Sequence, residues 1–186
     1  MVTYPSTTCR EATLVDVDAI AACANAAFVA DAFFKKQAFA QRFTREDIQA
    51  MLSQDHSAFL VVNAKVDDQV ATQLAGCIHV EYDAHTGMGH FGSVSVPKEF
   101  ERQGLGSALV QAAELWLAAK HSAGLWVEIC VVNVRHELFS FYERKGYRRT
   151  GRLNQDPGFA MILNDAYKHV HTEYMVKYIQ LPAVAA

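Results

Sequence analysis

Val96-Pro97-Lys98-Glu99-Phe100-Glu101-Arg102-Gln103-Gly104-Leu105-Gly106-Ser107-Ala108-Leu109-Val110 is the stretch on which the reading of this chain turns. Ahead of it, His90–Val96 alternates as a strand does and is stopped by Pro97. From Leu105 onward apolar residues return at Leu109, Ala112 and Trp116, with Ala108 and Leu115 widening the stripe, so a helix opens at the two glycines. A helix start presents free N–H donors and the positive end of the macrodipole, which suits phosphate. Gly104 and Gly106 let the backbone around Leu105 approach an anion closely, Ser107 adds a hydroxyl, and Arg102 and Gln103 add a charge and an amide. Two familiar phosphate loops do not fit. A Walker loop needs Gly-Lys-Ser/Thr after its glycines, and the dinucleotide fingerprint needs a third glycine where this chain has Leu109.

Working back toward the N-terminus, Ala58–Ala64 and Leu74–Tyr82 read as strands on either side of a polar turn at Asp67-Asp68-Gln69, with His79 and Glu81 on one face. With His90–Val96 they make an antiparallel meander. Thr44-Arg45-Glu46-Asp47 opens a helix running to about Ser53, and Asp16 or Asp18 opens an earlier one carrying Val17, Ile20, Ala21, Ala24, Ala27 and Phe28. Arg10–Leu14 is a short strand. Toward the C-terminus, Gly124 closes the central helix. Leu125–Val132 is apolar on both faces and reads as a buried central strand. Val134–Lys145 is helical up to Gly146, and Tyr147–Leu153 and Tyr174–Leu181 are the last strands. A meander followed by strand–helix–strand–helix predicts a mixed α/β or α+β sheet.

The 186 residues suit one domain, expected to span 1–186 with loose tails at 1–8 and 182–186. With 17 basic and 20 acidic residues the net charge is −3, which argues against a dedicated nucleic-acid binder. No apolar run reaches the roughly 18–20 residues of a membrane helix, and the first residues lack the pattern of a secretory signal. The expectation is a cytoplasmic protein, with a nuclear location left open. Cys9, Cys23, Cys77 and Cys130 lie far apart in no metal-ligand spacing, so they read as buried free thiols. His169 and His171 share a strand face but have no third ligand beside them, so no metal is expected. Trp116 and Trp126 read as core.

The order strand, Gly104-Leu105-Gly106 loop, helix, strand, helix, then Phe141-Tyr142-Glu143-Arg144-Lys145-Gly146-Tyr147, resembles the GNAT acetyltransferase superfamily over most of the chain. The family's acyl-CoA motif is Gln/Arg-x-x-Gly-x-Gly/Ala. Both glycines fit; the first position departs, being Glu101, while Arg102 beside it can restore a positive charge. The Phe141-Tyr142 landmark is intact. The family's helix-start Asn position holds Arg135, with Asn133 two residues early.

The resemblance implies an α+β GNAT fold: a central twisted, mixed, mostly antiparallel sheet of about seven strands, flanked by helices and splayed between strands four and five. It implies acetyl-CoA as co-substrate, held by Arg102 to Ser107, by the backbone of Val94 and Val96, and by Asn133. The implied reaction is transfer of an acetyl group to the primary amine of a small molecule by direct attack in a ternary complex. A protein or peptide N-acetyltransferase and a non-catalytic acyl-CoA sensor are the alternatives. Tyr142 stands where the family places the acid that protonates the leaving thiolate. His90, six residues before Val96, occupies the offset at which the histone-acetylating branch carries its catalytic Glu; Glu81, Glu128 or water are the other bases. The aromatics of Phe33-Phe34-Lys35-Lys36 would either line an acceptor pocket or simply pack in the core, and the loop Asp83–Gly89 and the connection Asn154–His171 would form the rest of the acceptor rim. No nucleic-acid or membrane partner is implied, and a homodimer is compatible with the pattern.

Overall fold

The computed structural model describes residues 8–28, 33–34, 41–65, 72–120 and 124–180. Lys35, Lys36, Phe39, the turn at Asp67-Asp68-Gln69 and the two tails, apart from Thr8, lie outside the described residues. The strands are β1 (Cys9–Glu11), β2 (Ser57–Lys65), β3 (Thr72–Asp83), β4 (Met88–Ser95), β5 (Leu125–Val132), β6 (Arg148–Leu153) and β7 (Thr172–Ile179). The helices are α1 (Val17–Phe28), α2 (Arg45–Leu52), α3 (Leu105–Ala118), α4 (His136–Glu143) and α5 (Pro157–Ile162).

All seven strands join one sheet in the order β1-β2-β3-β4-β5-β7-β6. Neighbours are antiparallel except β4 and β5, which run parallel because α3 carries the chain back across the sheet between them. The expected mixed, mostly antiparallel sheet is the one observed. The first strand is shorter than its sequence suggests: it ends at Glu11, and Leu14–Asp16 is a single 3-10 turn leading into α1.

Helices cover both faces of the sheet. On one side Leu105, Leu109, Ala113 and Leu117 of α3 pack with Phe139 and Tyr142 of α4 against Ile78, Val80, Phe91, Val127, Ile129 and Met175. On the other, Val17, Ile20, Cys23 and Ala24 of α1 and Ile48 of α2 cover Phe59, Val61 and Cys77. The inward face of α3 is rotated from the one the sequence suggests. The buried row follows i, i+4, i+8 and i+12 from Leu105, leaving Leu115 65% exposed. Trp116 sits at the sheet edge, where its indole N–H donates to a Glu11 carboxylate oxygen at 2.6 Å. Trp126 is exposed too, on the open face of β5 beside Tyr178. That strand is central but buried on one face only: among the described residues, α1 and α2 cover Phe59, Val61 and Cys77 on β2 and β3, not the β5 face carrying Trp126, Glu128 and Cys130. All four cysteines are free; Cys23 and Cys77 are buried, while Cys9 and Cys130 are half-buried.

One buried charge ties β1 to the start of α1. Asp16 accepts from both terminal nitrogens of Arg10, at 2.8 and 2.7 Å, and from the Thr13 backbone N–H at 2.8 Å. These partners, chiefly the guanidinium, hold its carboxyl down to about 2 from an ordinary 3.8. The stability this carboxylate contributes is therefore full above 3.8 and lost as pH falls through about 2. Because Arg10 is half exposed, Asp16→Asn should cost about 1–2 kcal/mol at neutral pH. Denaturant unfolding of the two proteins between neutral pH and pH about 2 should show the gap closing as acid is added.

Candidate active site

The site begins with one extra residue in β4. Cys77 pairs with Ser95 and His79 with Gly92, so two steps on β3 face three on β4. The surplus is taken up at Ser93, whose φ of +52° is unusual for a residue with a side chain. The Ser95 hydroxyl steadies the bulge by donating to the Ser93 carbonyl at 3.0 Å. Past the bulge β4 no longer follows β5: the two pair only from Met88 to His90 against Trp126 to Glu128. Ile129–Val132 then pairs with β7 alone. The strands part as expected, and the gap opens into a cavity of about 540 Å³.

Gly92, Val94 and Val96 line this cavity from β4, Ile129–Val132 from β5, and Leu138, Phe141 and Tyr142 from α4. Phe28, Phe33, Phe34, Arg42, Phe159 and Ile162 form its far wall. Tyr142 is 7% exposed and packed between Phe91, Phe141 and Tyr147 at ring separations of 6.2, 5.1 and 5.8 Å. Burial pushes its hydroxyl up to about 12, with Arg135 on the cavity rim acting the other way. It is therefore a phenol, able to give a proton, throughout the neutral range.

At the cavity mouth, marked by Val96 and Glu101, the chain turns into α3. Arg102 and Gly104 both have positive φ, +61° and +82°, and Gly104 caps the helix without any side-chain hydrogen bond. The first intrahelical bond runs from the Ala108 N–H to the Gly104 carbonyl at 3.0 Å. The N–H groups of Leu105, Gly106 and Ser107 thus precede the ladder, and the first turn holds no acidic residue. A Cβ placed on Gly106 would meet nothing within 4 Å, so the surface above it is open to an anion. Arg102, Gln103 and Ser107 are exposed around it, while Leu105 buries its side chain and offers only its backbone. These residues fit a pyrophosphate.

His90 lies elsewhere than expected. It does not line the cavity that holds Tyr142 but a second hollow of about 510 Å³, with His56, Glu81, Tyr82 and Glu128. Pairing places Glu81, His90 and Glu128 side by side across three strands. Among the described residues the two hollows share no lining residue, but Gly92 lines the first, and a Cβ there would lie 3.7 Å from His90 Nε2. The missing side chain lets the imidazole lean toward the gap. Glu128 is engaged by Arg152, whose guanidinium lies 3.8 Å over the Tyr174 ring. Beyond Glu81, Ser57 Oγ and His79 Nε2 share a hydrogen bond of 2.8 Å, and burial pulls the His79 imidazole down.

Two expectations are corrected. Asn133 does not line the cavity: its side-chain oxygen accepts from the His171 N–H at 3.0 Å and its own N–H donates to the His171 carbonyl at 2.9 Å. The side chain clasps the chain entering β7, so its oxygen is not free for a pantetheine arm. His169 and His171 precede β7 instead of lying on it, and no group of three metal-ligating residues occurs among the described residues. Cys130 and Thr172, which the sequence reading did not assign to the site, border the cavity on the open face of the sheet beside Asn154, the start of the connection expected at the acceptor rim. Burial raises the Cys130 thiol, while Thr172 and Asn154 beside it favour the thiolate. For Cys130 the signal was present, as every second residue of β5 from Trp126 points to the open face.

Comparison with known proteins agrees with this geometry. A family model described as "Acetyltransferase (GNAT) domain" matches residues 18–163. No curated protein matches the chain. Among solved structures, a GNAT-family acetyltransferase from Streptococcus pneumoniae superposes with a TM-score of 0.67 at 18% identity, covering 94% of this chain and 99% of its own. Nourseothricin acetyltransferase gives 0.62 at 22% identity, with the same coverage of 94% and 99%. The ribosomal-protein-S18-alanine N-acetyltransferase from Escherichia coli gives 0.64 at 14% identity, covering 97% and 98%. At these identities the structures share the fold.

The open space above Gly106 allows a direct check. Gly106→Asp adds a carboxylate at a helix start, where it does not harm the helix but repels an anion. The melting temperature should stay within about 2 °C, while the dissociation constant for CoA rises at least about tenfold by isothermal titration.

Proposed function

The chain belongs to the GNAT acetyltransferase family, whose activity is acyl-CoA-dependent acetyl transfer, and from this premise we propose that its acceptor is the primary amine of a small molecule. One observation carries the choice. Phe34 and Leu163 form an antiparallel bridge, and the Asn164 N–H donates to the Phe33 carbonyl at 2.8 Å. This ties the segment after α1 to the connection between β6 and β7 and brings both against the acceptor side of the cavity. A peptide acceptor needs an open channel for the chain behind its reacting amine; a small molecule needs only the enclosed volume.

Bound acetyl-CoA supplies the activated acyl group as a thioester. Leu105, Gly106 and Ser107 hold its pyrophosphate through backbone N–H groups, with Arg102 and Gln103 alongside. The edge of β4 from Gly92 to Val96, freed by the bulge, directs the pantetheine arm into the gap and offers an N–H to the carbonyl oxygen. The amine nitrogen attacks that carbonyl; the C–N bond forms, the C–S bond breaks and the thiolate leaves. Tyr142 gives its proton to the thiolate. Burial that penalises a phenolate penalises a thiolate in the same gap, so the two groups stay matched in the dry surroundings. The Arg135 charge eases the transient phenolate, which is restored to a phenol by the second proton released from the acylated nitrogen. His90, whose Nε2 lies 3.7 Å from where a Cβ on Gly92 would stand, takes the proton of the incoming ammonium. Glu128, already paired with Arg152, is the poorer base.

A thiol-release assay with acetyl-CoA and a panel of amines and short peptides tests the proposal. Turnover of small amines is the expected result. Preference for peptides would favour the protein-acetylating reading, and CoA binding without turnover would favour a sensor. In the active enzyme, Tyr142→Phe should lower kcat about 10²-fold with little change in KM. Because the phenol sits at about 12, wild-type kcat should show no alkaline loss below pH about 10. His90→Gln should lower kcat/KM about tenfold or more, read in the same thiol-release assay.

A further inference from the structure

Within the cavity, one wall and one atom carry information about the acceptor. The wall is aromatic: Phe28 at the end of α1, Phe33 and Phe34 after it, and Phe159 of α5 come together from opposite ends of the chain. Phe33 and Phe34 have ring centroids 4.5 Å apart, and Phe159 meets Phe34 edge-on at 6.3 Å. The atom is Thr172 Oγ1. Thr172 is 6% exposed and borders the cavity, and its buried hydroxyl has only the Cys130 thiol beside it, with no nitrogen or oxygen partner among the described residues. A buried hydroxyl served by a thiol alone has bonding capacity to spare, so its place opposite an aromatic wall marks a ligand position.

Strand order says which ligand. Thr172 lies on β7, and β5 stands between it and the gap that separates β4 from β5. The hydroxyl therefore faces the acceptor side, away from the path of the pantetheine arm. The Arg42 guanidinium lies 4.8 Å from the Phe28 ring centroid and lines the same cavity. Arg135 on the rim is paired with Glu137, and the carboxylates of Glu101 and Asp156 line the cavity too, so the wall selects by its aromatic surface and not by a net charge.

We infer that the acceptor is a primary amine carried on an aromatic or compact apolar body, seated against the phenylalanine wall and hydrogen-bonded by Thr172. The inference rests on the transferase reading above. It separates the acceptor from polyamines, which would suit the acid-lined hollow at Glu81 and Asp83 better, and from peptides.

The test combines an amine panel with Thr172→Val. Phenylethylamine and tyramine should exceed spermidine and an unblocked tripeptide in kcat/KM by about tenfold or more. Thr172→Val should raise the acceptor KM for tyramine about fivefold to tenfold, leave the KM for acetyl-CoA unchanged, and not lower the melting temperature of the free enzyme, because the buried hydroxyl removed is served only by a thiol. A structural role for the hydroxyl would lower the melting temperature instead, and that result overturns the assignment of Thr172. Turnover of spermidine or the peptide ahead of the aromatic amines overturns the substrate class while leaving the transferase reading in place. Absence of turnover with every amine, although CoA binds, overturns both.

Discussion

Everything chemical in this protein depends on the mismatch between β3 and β4. Parallel strands normally continue side by side, each satisfying the other's backbone groups. Here the one surplus residue at Ser93 turns the end of β4 away after three pairs with β5. The edges so exposed would be a liability in a closed sheet, yet within a cavity they are hydrogen-bonding surface for an extended ligand. The strain of a positive φ at Ser93 is held by its surroundings: Ser95 is fully buried and bonded back to it, and the Cys23 thiol donates to the Ser95 carbonyl at 3.9 Å. Thus α1, which contributes to the acceptor wall through Phe28, also braces the bulge from behind.

The division of labour across the sheet follows from the same parting. The face under α3 and α4 is apolar and rigid, and it sets Tyr142 at the cavity with its proton retained. The other face carries a polar row through Ser57, His79, Glu81, His90, Glu128 and Arg152, crossing from β2 to β6. Such a row on a β-sheet needs either solvent or partners, and here it has both: an internal hydrogen bond at one end, an ion pair at the other, and an open hollow between. His90 occupies the middle, where the row meets the parting strands. The weak overall charge of −3 therefore conceals a sharp local pattern, with anion-binding donors at α3 and carboxylates one sheet face away.

What could be read from sequence was what is local. The Gly104-Leu105-Gly106 turn, the helix after it and the Phe141-Tyr142 pair each sit within a few residues, so their spacing carries their geometry. The bulge is invisible to such a reading, because an extra residue exists only relative to a partner strand: Ser93 looks ordinary until Cys77 is known to face Ser95. The same holds for Asn133, whose commitment to His171 spans 38 positions, and for Thr172, whose spare bonding capacity can be noticed only once its neighbours are known. Trp126 failed for a different reason. An alternating strand with large residues on both faces reads as buried, whereas the face beyond β4 is kept open for a substrate.

The contacts on the acceptor side of the cavity connect these points. A phenol raised to about 12 is of use only where water is scarce, since solvent would both relax the shift and compete for the leaving thiolate. On the proposed function, the Phe34–Leu163 bridge and the packing of Phe159 on Phe34 would limit water on the acceptor side with the same aromatic surface that meets the acceptor. Proton matching and acceptor choice would then be set by one group of contacts. A substitution that loosened them would admit bulkier amines, and by wetting the gap it would also pull Tyr142 back toward an ordinary phenol. Selectivity and acid strength would move together, because both would follow from how completely the parted strands are covered.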